Sequence, residues 1–171
     1  MIDLKEHLRH VPDFPKEGID FIDITTVLKD QELFSEAIQQ MLDAVADLDF
    51  NLIVGIESRG FIMGAPLAYA AGVGFVPVRK AGKLPAETVS VTYDLEYGTD
   101  TLEIHRDAIT PGSKVLIVDD LLATGGTAKA NIELVEKLGG EVVGLLFFIE
   151  LDFLQGREEL SDYPLFTIVS I

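Results

Sequence analysis

Apolar residues occur in short runs along the chain, and most of these runs are separated by stretches with helical spacing. The runs are rich in β-branched residues and predict five buried strands: residues 51–56 (NLIVGI), 74–78 (GFVPV), 114–118 (KVLIV), 141–149 (EVVGLLFFI) and 165–169 (LFTIV). Apolar residues spaced three and four apart predict helices over residues 31–48, 60–71 and 127–138. This alternation indicates an α/β fold with a mainly parallel sheet covered by helices on both faces.

Residues 81–105, between the second and third predicted strands, have a different pattern. The stretches TVSVTY (88–93) and DTLEIH (100–105) alternate apolar and polar residues around the DLEYG turn, which predicts a β-hairpin. Ligands of parallel sheets bind beyond the carboxyl ends of the strands. We therefore expect residues 81–105, called the hood below, to form a flexible flap over a ligand site.

Composition limits the classes of function. A length of 171 residues without repeats predicts a single domain, residues 1–171. A net charge of −16 disfavours partners that are nucleic acids or anionic membranes, because binding them requires clustered Lys and Arg. The chain has no cysteine, no signal peptide and no stretch of the ~20 apolar residues that a spanning helix needs. We expect a soluble protein of the cytoplasm.

Residues 114–127 (KVLIVDDLLATGGT) join the most hydrophobic strand to a candidate ligand site. The carboxylates of Asp119 and Asp120 can accept hydrogen bonds from the hydroxyls of a ribose. The glycines that follow allow close approach to a bound group, and the N–H groups of the next helix, with the hydroxyls of Thr124 and Thr127, favour a phosphate. An Asp120 that only caps the helix is the simpler alternative, but a cap requires neither an acidic neighbour nor two glycines and two threonines.

Basic residues are few, so their positions are informative. Arg59, in the turn after the first predicted strand, is the only basic residue between Lys29 and Arg79. It is placed either to bind an anion or to form an ion pair with a neighbouring acid. Arg79, Lys80 and Lys83, called the basic cluster below, form either a solvated loop or a site for a leaving diphosphate.

Residues 115–127 (VLIVDDLLATGGT) resemble the motif with which type I phosphoribosyltransferases bind phosphoribosyl diphosphate (PRPP). The resemblance covers nearly the whole chain and is strongest to the branch that acts on adenine, to which RKAGKLP and YDLEYG are specific. The matching segments are residues 14–30 (FPKEGIDFIDITTVLKD), 55–68 (GIESRGFIMGAPLA), 76–85 (VPVRKAGKLP), 93–105 (YDLEYGTDTLEIH) and 149–160 (IELDFLQGREEL). The resemblance implies a twisted, mainly parallel sheet with a β-hairpin hood.

The resemblance also implies roles for particular residues. The residues that would bind the phosphoribosyl group of PRPP or AMP are Asp119, Asp120, Ala123, Thr124, Gly125, Gly126 and Thr127. Those that would bind diphosphate are Ser58, Arg59, Arg79, Lys80 and Lys83, with a cis peptide at Glu57–Ser58. Mg²⁺ is implied as a cofactor carried by the diphosphate of PRPP and bridged by water to Asp119 and Asp120.

The remaining implied roles concern the base and the assembly. Phe21 and Leu151 would sandwich the purine ring, with residues 1–30 contributing to the pocket. Glu96, at the tip of the hood, would assist proton transfer, with Arg59 as a second catalytic residue. A homodimer is implied because the residue that matches Arg79 reaches the partner's site.

The reaction implied is the salvage of adenine, in which adenine and PRPP give AMP and diphosphate. One departure is Ile22, where the family often has Arg or Lys, and it leaves open a phosphoribosyltransferase for hypoxanthine, guanine or xanthine. A non-catalytic PRPP-sensing regulator is the other alternative. The acidic charge and the absence of spare length for a DNA-binding domain count against it.

Overall fold

The computed structural model describes residues 1–94 and 98–171. In chain order the strands are β1 (Arg9–Pro12), β2 (Asp20–Asp23), β3 (Leu52–Ile56), β4 (Gly74–Lys80), β5 (Thr88–Asp94), β6 (Thr99–His105), β7 (Lys114–Leu122), β8 (Glu141–Glu150) and β9 (Leu165–Ser170). The helices are α1 (Thr25–Leu28), α2 (Gln31–Ala44), α3 (Arg59–Ala71) and α4 (Gly126–Lys137). Short 3-10 turns cover Leu4–His7, Asp152–Leu154 and Glu158–Leu160.

The central sheet has seven strands in the order β5-β6-β4-β3-β7-β8-β9. Strands β4, β3, β7, β8 and β9 pair in parallel, as the sequence predicts. The hood contains the predicted hairpin, in which β5 and β6 pair antiparallel from Thr88 opposite His105 to Asp94 opposite Thr99. Strand β6 pairs with β4 at two positions, where Arg79 and Lys80 face Glu103 and Leu102. The hairpin is therefore attached to the sheet next to the basic cluster.

Each face of the parallel sheet has its own hydrophobic core, and β7 contributes side chains to both cores. Val115 and Ile117 pack into the core under α4, whereas Leu116 and Val118 pack into the core under α2 and α3. Alternate residues of a strand point to opposite faces, so a continuously apolar strand is required for a sheet covered on both sides.

The structure corrects several predicted boundaries. Strand β7 continues four residues past the predicted end and includes Asp119 and Asp120, because its last residues pair with β8 as far as Leu122 opposite Glu150. Helix α2 ends at Ala44 rather than at residue 48. The end of helix α3 at Ala71 agrees with the prediction, and Gly72 after it adopts a φ of 70°, as expected of a glycine that terminates a helix.

The N-terminal region contains an antiparallel ribbon that the sequence pattern did not predict. Strands β1 and β2 have four residues each and pair from Arg9 opposite Asp23 to Pro12 opposite Asp20. Within the described part of the chain, no helix has both the length and the hydrophobicity required to cross a membrane.

Candidate functional site

The connection between β7 and α4, residues 123–127, forms a small cradle, called the phosphate loop below. It surrounds a cavity of about 80 Å³ together with Asp119 and Phe147. Gly125 precedes the first residue of α4 with a φ of 88°, a conformation that glycine adopts without strain. No side chain caps this helix, so its first N–H groups are available to an anion.

The two carboxylates of β7 lie beside this cradle in different surroundings. The side chain of Asp120 is 7% exposed, and its Oδ2 lies 2.9 Å from Nε of Arg59. Oδ1 of Asp119 accepts the backbone N–H of Asp120 at 2.9 Å. Neither aspartate caps α4, so the interpretation of Asp120 as a helix cap is wrong.

Burial determines the titration of this pair. Burial, followed by the negative charge of Asp120, raises the pKa of Asp119 well above its ordinary value. Burial also raises the pKa of Asp120, while the guanidinium of Arg59 opposes that rise. Asp119 is therefore the more readily protonated of the two carboxylates.

Close packing of α3 against β7 brings Arg59 to Asp120. A Cβ atom at Gly60 would lie 2.8 Å from Oδ1 of Asp119 and 3.2 Å from the carbonyl oxygen of Val118. Any larger residue at this position would push the start of α3 away from the strand.

Arg59 also contacts the N-terminal region. Its guanidinium carbon lies 5.4 Å from the centroid of the Phe21 ring, within the range of a cation–π interaction. Phe14 meets the same ring edge-on, with the centroids 5.3 Å apart. These side chains line an apolar cleft of about 500 Å³ between the N-terminal ribbon and α3. Leu151 does not line this cleft; it follows β8 and donates its N–H to the carbonyl of Leu122 at 3.0 Å.

Ile22 lies on the side of β2 opposite to Phe21. It is 7% exposed and packs into the core under α2 and α3, whereas Phe21 and Asp23 line the cleft. The side chain at position 22 therefore contributes to the core rather than to the cleft.

The basic cluster is organised by a carboxylate that the sequence analysis did not identify, Glu57. Nζ of Lys83 lies 2.6 Å from Glu57 Oε1, Arg79 donates to both carboxylate oxygens at 3.2 and 3.3 Å, and the N–H of Lys80 donates to Oε2 at 3.0 Å. The side chain of Glu57 is 10% exposed. Burial alone would raise the pKa of Glu57, but the hydrogen bonds from Lys83, Arg79 and Lys80 outweigh it and lower the pKa to about 2.

The third basic side chain has a different partner, Asp100 on β6. Nζ of Lys80 lies 2.9 Å from Asp100 Oδ2, and this contact lowers the pKa of Asp100 and raises that of Lys80. The members of the basic cluster thus occupy neighbouring positions, each paired with an acid. Glu57 directly follows β3, at the carboxyl end of the sheet where ligands are expected. That position was a signal, available in the sequence, for a carboxylate that pairs with the basic cluster.

The hood approaches the phosphate loop from the other side. Oγ1 of Thr127 donates to the hydroxyl of Tyr93 at 3.3 Å, and a Cβ atom at Gly126 would lie 3.9 Å from the carbonyl oxygen of Asp94. Glu96 lies outside the described residues. Ser58 precedes α3, and the Glu57–Ser58 peptide is cis, as the resemblance implied.

Comparisons with known proteins agree with this geometry. A family model described as the phosphoribosyl transferase domain matches residues 25–170. The chain is 64% identical over 169 residues to an adenine phosphoribosyltransferase of Acetivibrio thermocellus, covering 98% of this chain and 99% of that relative. The crystal structure of the adenine phosphoribosyltransferase from Thermoanaerobacter pseudethanolicus superposes with a TM-score of 0.96 at 55% identity and 98% coverage of both chains. The enzyme of that name from Saccharomyces cerevisiae, solved in complex with adenine and an imino-altritol bisphosphate, gives a TM-score of 0.91 at 48% identity and 96% coverage of both chains.

Proposed function

Because the chain belongs to the adenine phosphoribosyltransferase family, within the wider phosphoribosyltransferase domain family, we propose that it transfers the phosphoribosyl group of PRPP to adenine. The products are AMP and diphosphate. The observation that carries the proposal is the phosphate loop, an uncapped helix start that follows two carboxylates and is approached by the hood at Tyr93. This arrangement suits a substrate that has one phosphate, one ribose and one diphosphate.

The phosphoribosyl group is bound by the phosphate loop and β7 in this proposal. The residues involved are Asp119, Asp120, Ala123, Thr124, Gly125, Gly126 and Thr127. The N–H groups at the start of α4 bind the 5′-phosphate, since the positive end of a helix dipole favours an anion. Asp119 accepts hydrogen bonds from the ribose hydroxyls, and Asp120 keeps its ion pair with Arg59.

The leaving diphosphate is bound by Ser58, Arg59, Arg79, Lys80 and Lys83. Glu57 holds Arg79 and Lys83 next to each other, so their remaining N–H groups can donate to the leaving group with little rearrangement. Among the described residues, no three or more His, Cys, Asp or Glu side chains converge as a metal site. Asp119 and Asp120 would hold, through water, the Mg²⁺ ion carried by PRPP, and that ion would neutralise part of the diphosphate charge.

In this proposal Phe21 holds one face of the base in the apolar cleft, with residues 1–30 contributing to the pocket. Leu151, which lies outside that cleft in the structure, would cover the other face of the ring when adenine binds. The bond between C1′ and the diphosphate oxygen breaks, a bond between C1′ and N9 of adenine forms, and the N9 proton passes to a base. We assign that base to Glu96, with Arg59 assisting at the leaving group. Closure of the hood excludes water, which would otherwise hydrolyse the activated sugar.

We further propose that residues 1–171 form one catalytic domain, that the active form is a homodimer, and that the enzyme acts in the cytoplasm. The dimer is proposed from the resemblance, in which the residue that matches Arg79 reaches the partner's site. Sedimentation velocity at micromolar concentration tests it, and a monomer with full activity contradicts it.

A diphosphate-release assay with PRPP and Mg²⁺ tests the reaction. Adenine, hypoxanthine, guanine and xanthine are added one at a time. Release with adenine alone is the expected result. Release with another base instead of adenine would contradict the choice of base, and PRPP binding without release for any base would favour a regulator.

A further inference from the structure

The phosphate loop is supported from behind by residues 151–160, called the support segment below. We propose that Gly156, held in place by the Glu150–Arg157 pair, positions the phosphate loop for PRPP. This inference rests on the proposed function, because it assigns a role within the same site. None of these three residues lines the cavity of the phosphate loop, so they act through the loop backbone.

Contact between the two backbones is unusually close. A Cβ atom at Gly156 would lie 2.1 Å from the carbonyl oxygen of Ala123 and 3.0 Å from its carbonyl carbon. In the reverse direction, a Cβ atom at Gly125 would lie 2.9 Å from the carbonyl oxygen of Gly156. Both neighbours are backbone atoms, which cannot move aside as the end of a flexible side chain can.

Two glycines are thus packed against each other, one on each segment. A side chain at position 125 is disfavoured for two reasons, the φ of 88° and the closeness of the Gly156 carbonyl. Both reasons hold whether or not a ligand also approaches the loop. A carbon placed 2.1 Å from an oxygen is far inside van der Waals contact, so a methyl group at position 156 must displace residues 123–125.

Arg157 fixes the position of its neighbour Gly156. Its Nε and Nη2 donate to the two carboxylate oxygens of Glu150 at 3.0 and 2.5 Å. The same guanidinium donates to the carbonyl of Leu165 at 3.1 Å and to Oγ1 of Thr167 at 3.3 Å. The Glu150 side chain is 7% exposed, and a bidentate pair with a buried carboxylate restrains orientation as well as position. The support segment is thereby anchored to β8 and β9.

The far end of the support segment is anchored to α4. Lys129, in the first turns of α4, forms an ion pair with Glu159. Leu160 is buried in the core under α4, and a Cβ atom at Gly125 would lie 3.6 Å from its Cγ. The start of α4 and the loop before it therefore rest on a segment that is itself held at both ends.

Displacing this support should weaken PRPP binding, because the N–H groups of the cradle act through fixed orientation. The test is the variant Gly156→Ala, measured by calorimetric titration with PRPP and Mg²⁺ in the absence of adenine. We expect its Kd for PRPP to rise about tenfold, which corresponds to a loss of about 1.4 kcal/mol of binding free energy. In the full assay the KM for PRPP should rise with it, while the KM for adenine changes about twofold or less.

A control is Gly144→Ala, because a side chain at Gly144 would also be crowded, although by a flexible side chain, and Gly144 lies in β8 away from the site. A Cβ atom there would lie 2.7 Å from Cδ1 of Leu48. This variant should lose thermal stability and bind PRPP as the wild type does. If both variants weaken PRPP binding equally, the effect is general destabilisation and the inference is wrong.

Arg157→Lys provides a second test if Gly156→Ala does not fold. Lysine retains the charge opposite Glu150 but cannot make the four hydrogen bonds of the guanidinium. We expect weaker PRPP binding in the folded variant, and binding equal to that of the wild type would overturn the inference. A wild type that binds PRPP without using adenine would overturn the proposed reaction only, because the titration requires no second substrate.

Discussion

Arg59 shows how one side chain can serve two parts of a site. Its Nε pairs with the buried carboxylate of Asp120, and its guanidinium carbon lies over the ring of Phe21. A buried carboxylate needs a partner, so Arg59 contributes to stability before any substrate binds. The sequence allowed two interpretations of Arg59, a ligand for an anion and a member of an ion pair. The ion pair with Asp120 is present, and it does not exclude binding of an anion by the rest of the guanidinium.

Arg59→Ala should destabilise the protein and Asp120→Asn should partly reverse the loss. Removing the arginine leaves Asp120 buried without its partner, and we expect the free energy of unfolding to fall by about 2 kcal/mol, between the values for exposed and buried pairs. Urea unfolding of the wild type, the Arg59→Ala variant and the double variant measures this. A double variant less stable than Arg59→Ala would contradict it.

Ile22→Ala separates stability from base recognition. Ile22 packs in the core, so its truncation should lower the free energy of unfolding by about 2–4 kcal/mol. Because its side chain points away from the cleft, the KM for adenine should stay within about twofold of the wild type. Phe21→Ala is the matched control, since it should raise that KM. An equal rise in both variants would show that position 22 does contact the base.

At the scale of elements, Glu57 joins the end of β3 to the basic cluster at the end of β4. The strands run in parallel, so their carboxyl ends lie at the same end of the sheet. There Glu57 forms ion pairs with Arg79 and Lys83. This carboxylate compensates the positive charges in the absence of diphosphate and orders their side chains. It holds them where a second anion can bind.

Glu57→Gln should change how stability depends on pH. The pKa of Glu57 is about 2 in the folded protein, below the ordinary 4.5, so its stabilisation is complete above pH 4.5 and is lost as the pH falls towards 2. Glutamine cannot titrate. The wild type should therefore exceed the variant in free energy of unfolding by about 1–3 kcal/mol at neutral pH, and this difference should shrink on acidification.

Urea unfolding at about pH 7 and about pH 3.5 measures this difference. Glu103→Gln is a suitable control, because Glu103 lies beside the same cluster and, among residues 1–94 and 98–171, its side chain accepts a hydrogen bond from the N–H of Gly82 alone. A constant difference between wild type and Glu57→Gln at the two pH values would contradict the prediction.

Periodicity predicted the elements that carry large apolar faces, which are the five parallel strands, α2, α3 and α4. It failed for β1 and β2, because strands of four residues have too few apolar positions to show an alternation. The end of β7 was placed too early because charged residues usually end a buried strand. In this chain Asp119 packs against the start of α3 and Asp120 pairs with Arg59. These partners lie about sixty residues earlier in the sequence, so no local pattern indicates them.

The candidate site was predictable where a contiguous motif specifies it, and less so where distant segments meet. The phosphate loop, with its glycines and uncapped helix, follows from residues 119–127. The contact of Gly125 with Gly156 does not, because no spacing rule relates a loop glycine to a backbone carbonyl thirty residues later. The pairing of the basic cluster with Glu57 and Asp100 likewise depends on the sheet order.

At the scale of the whole molecule, the proposed site draws on both hydrophobic cores. The β3–α3 turn and the N-terminal ribbon rest on the core under α2 and α3, while the hood and the phosphate loop rest on the core under α4. A ligand that contacts all of these elements should stabilise the molecule as a unit, since it binds the folded state alone.

PRPP with Mg²⁺ should therefore raise the melting temperature substantially. At a hundred times its Kd, a ligand adds about 2.7 kcal/mol to the free energy of unfolding, which for a chain of this length is about 5–10 °C. Ribose 5-phosphate alone should give a smaller rise, because it lacks the diphosphate that we propose Arg79 and Lys83 bind. Removing Mg²⁺ with a chelator should reduce the effect of PRPP towards that of ribose 5-phosphate, because the uncompensated diphosphate is repelled by Glu57, Asp119 and Asp120. Equal shifts for the two ligands would mean that the basic cluster does not take part in binding PRPP.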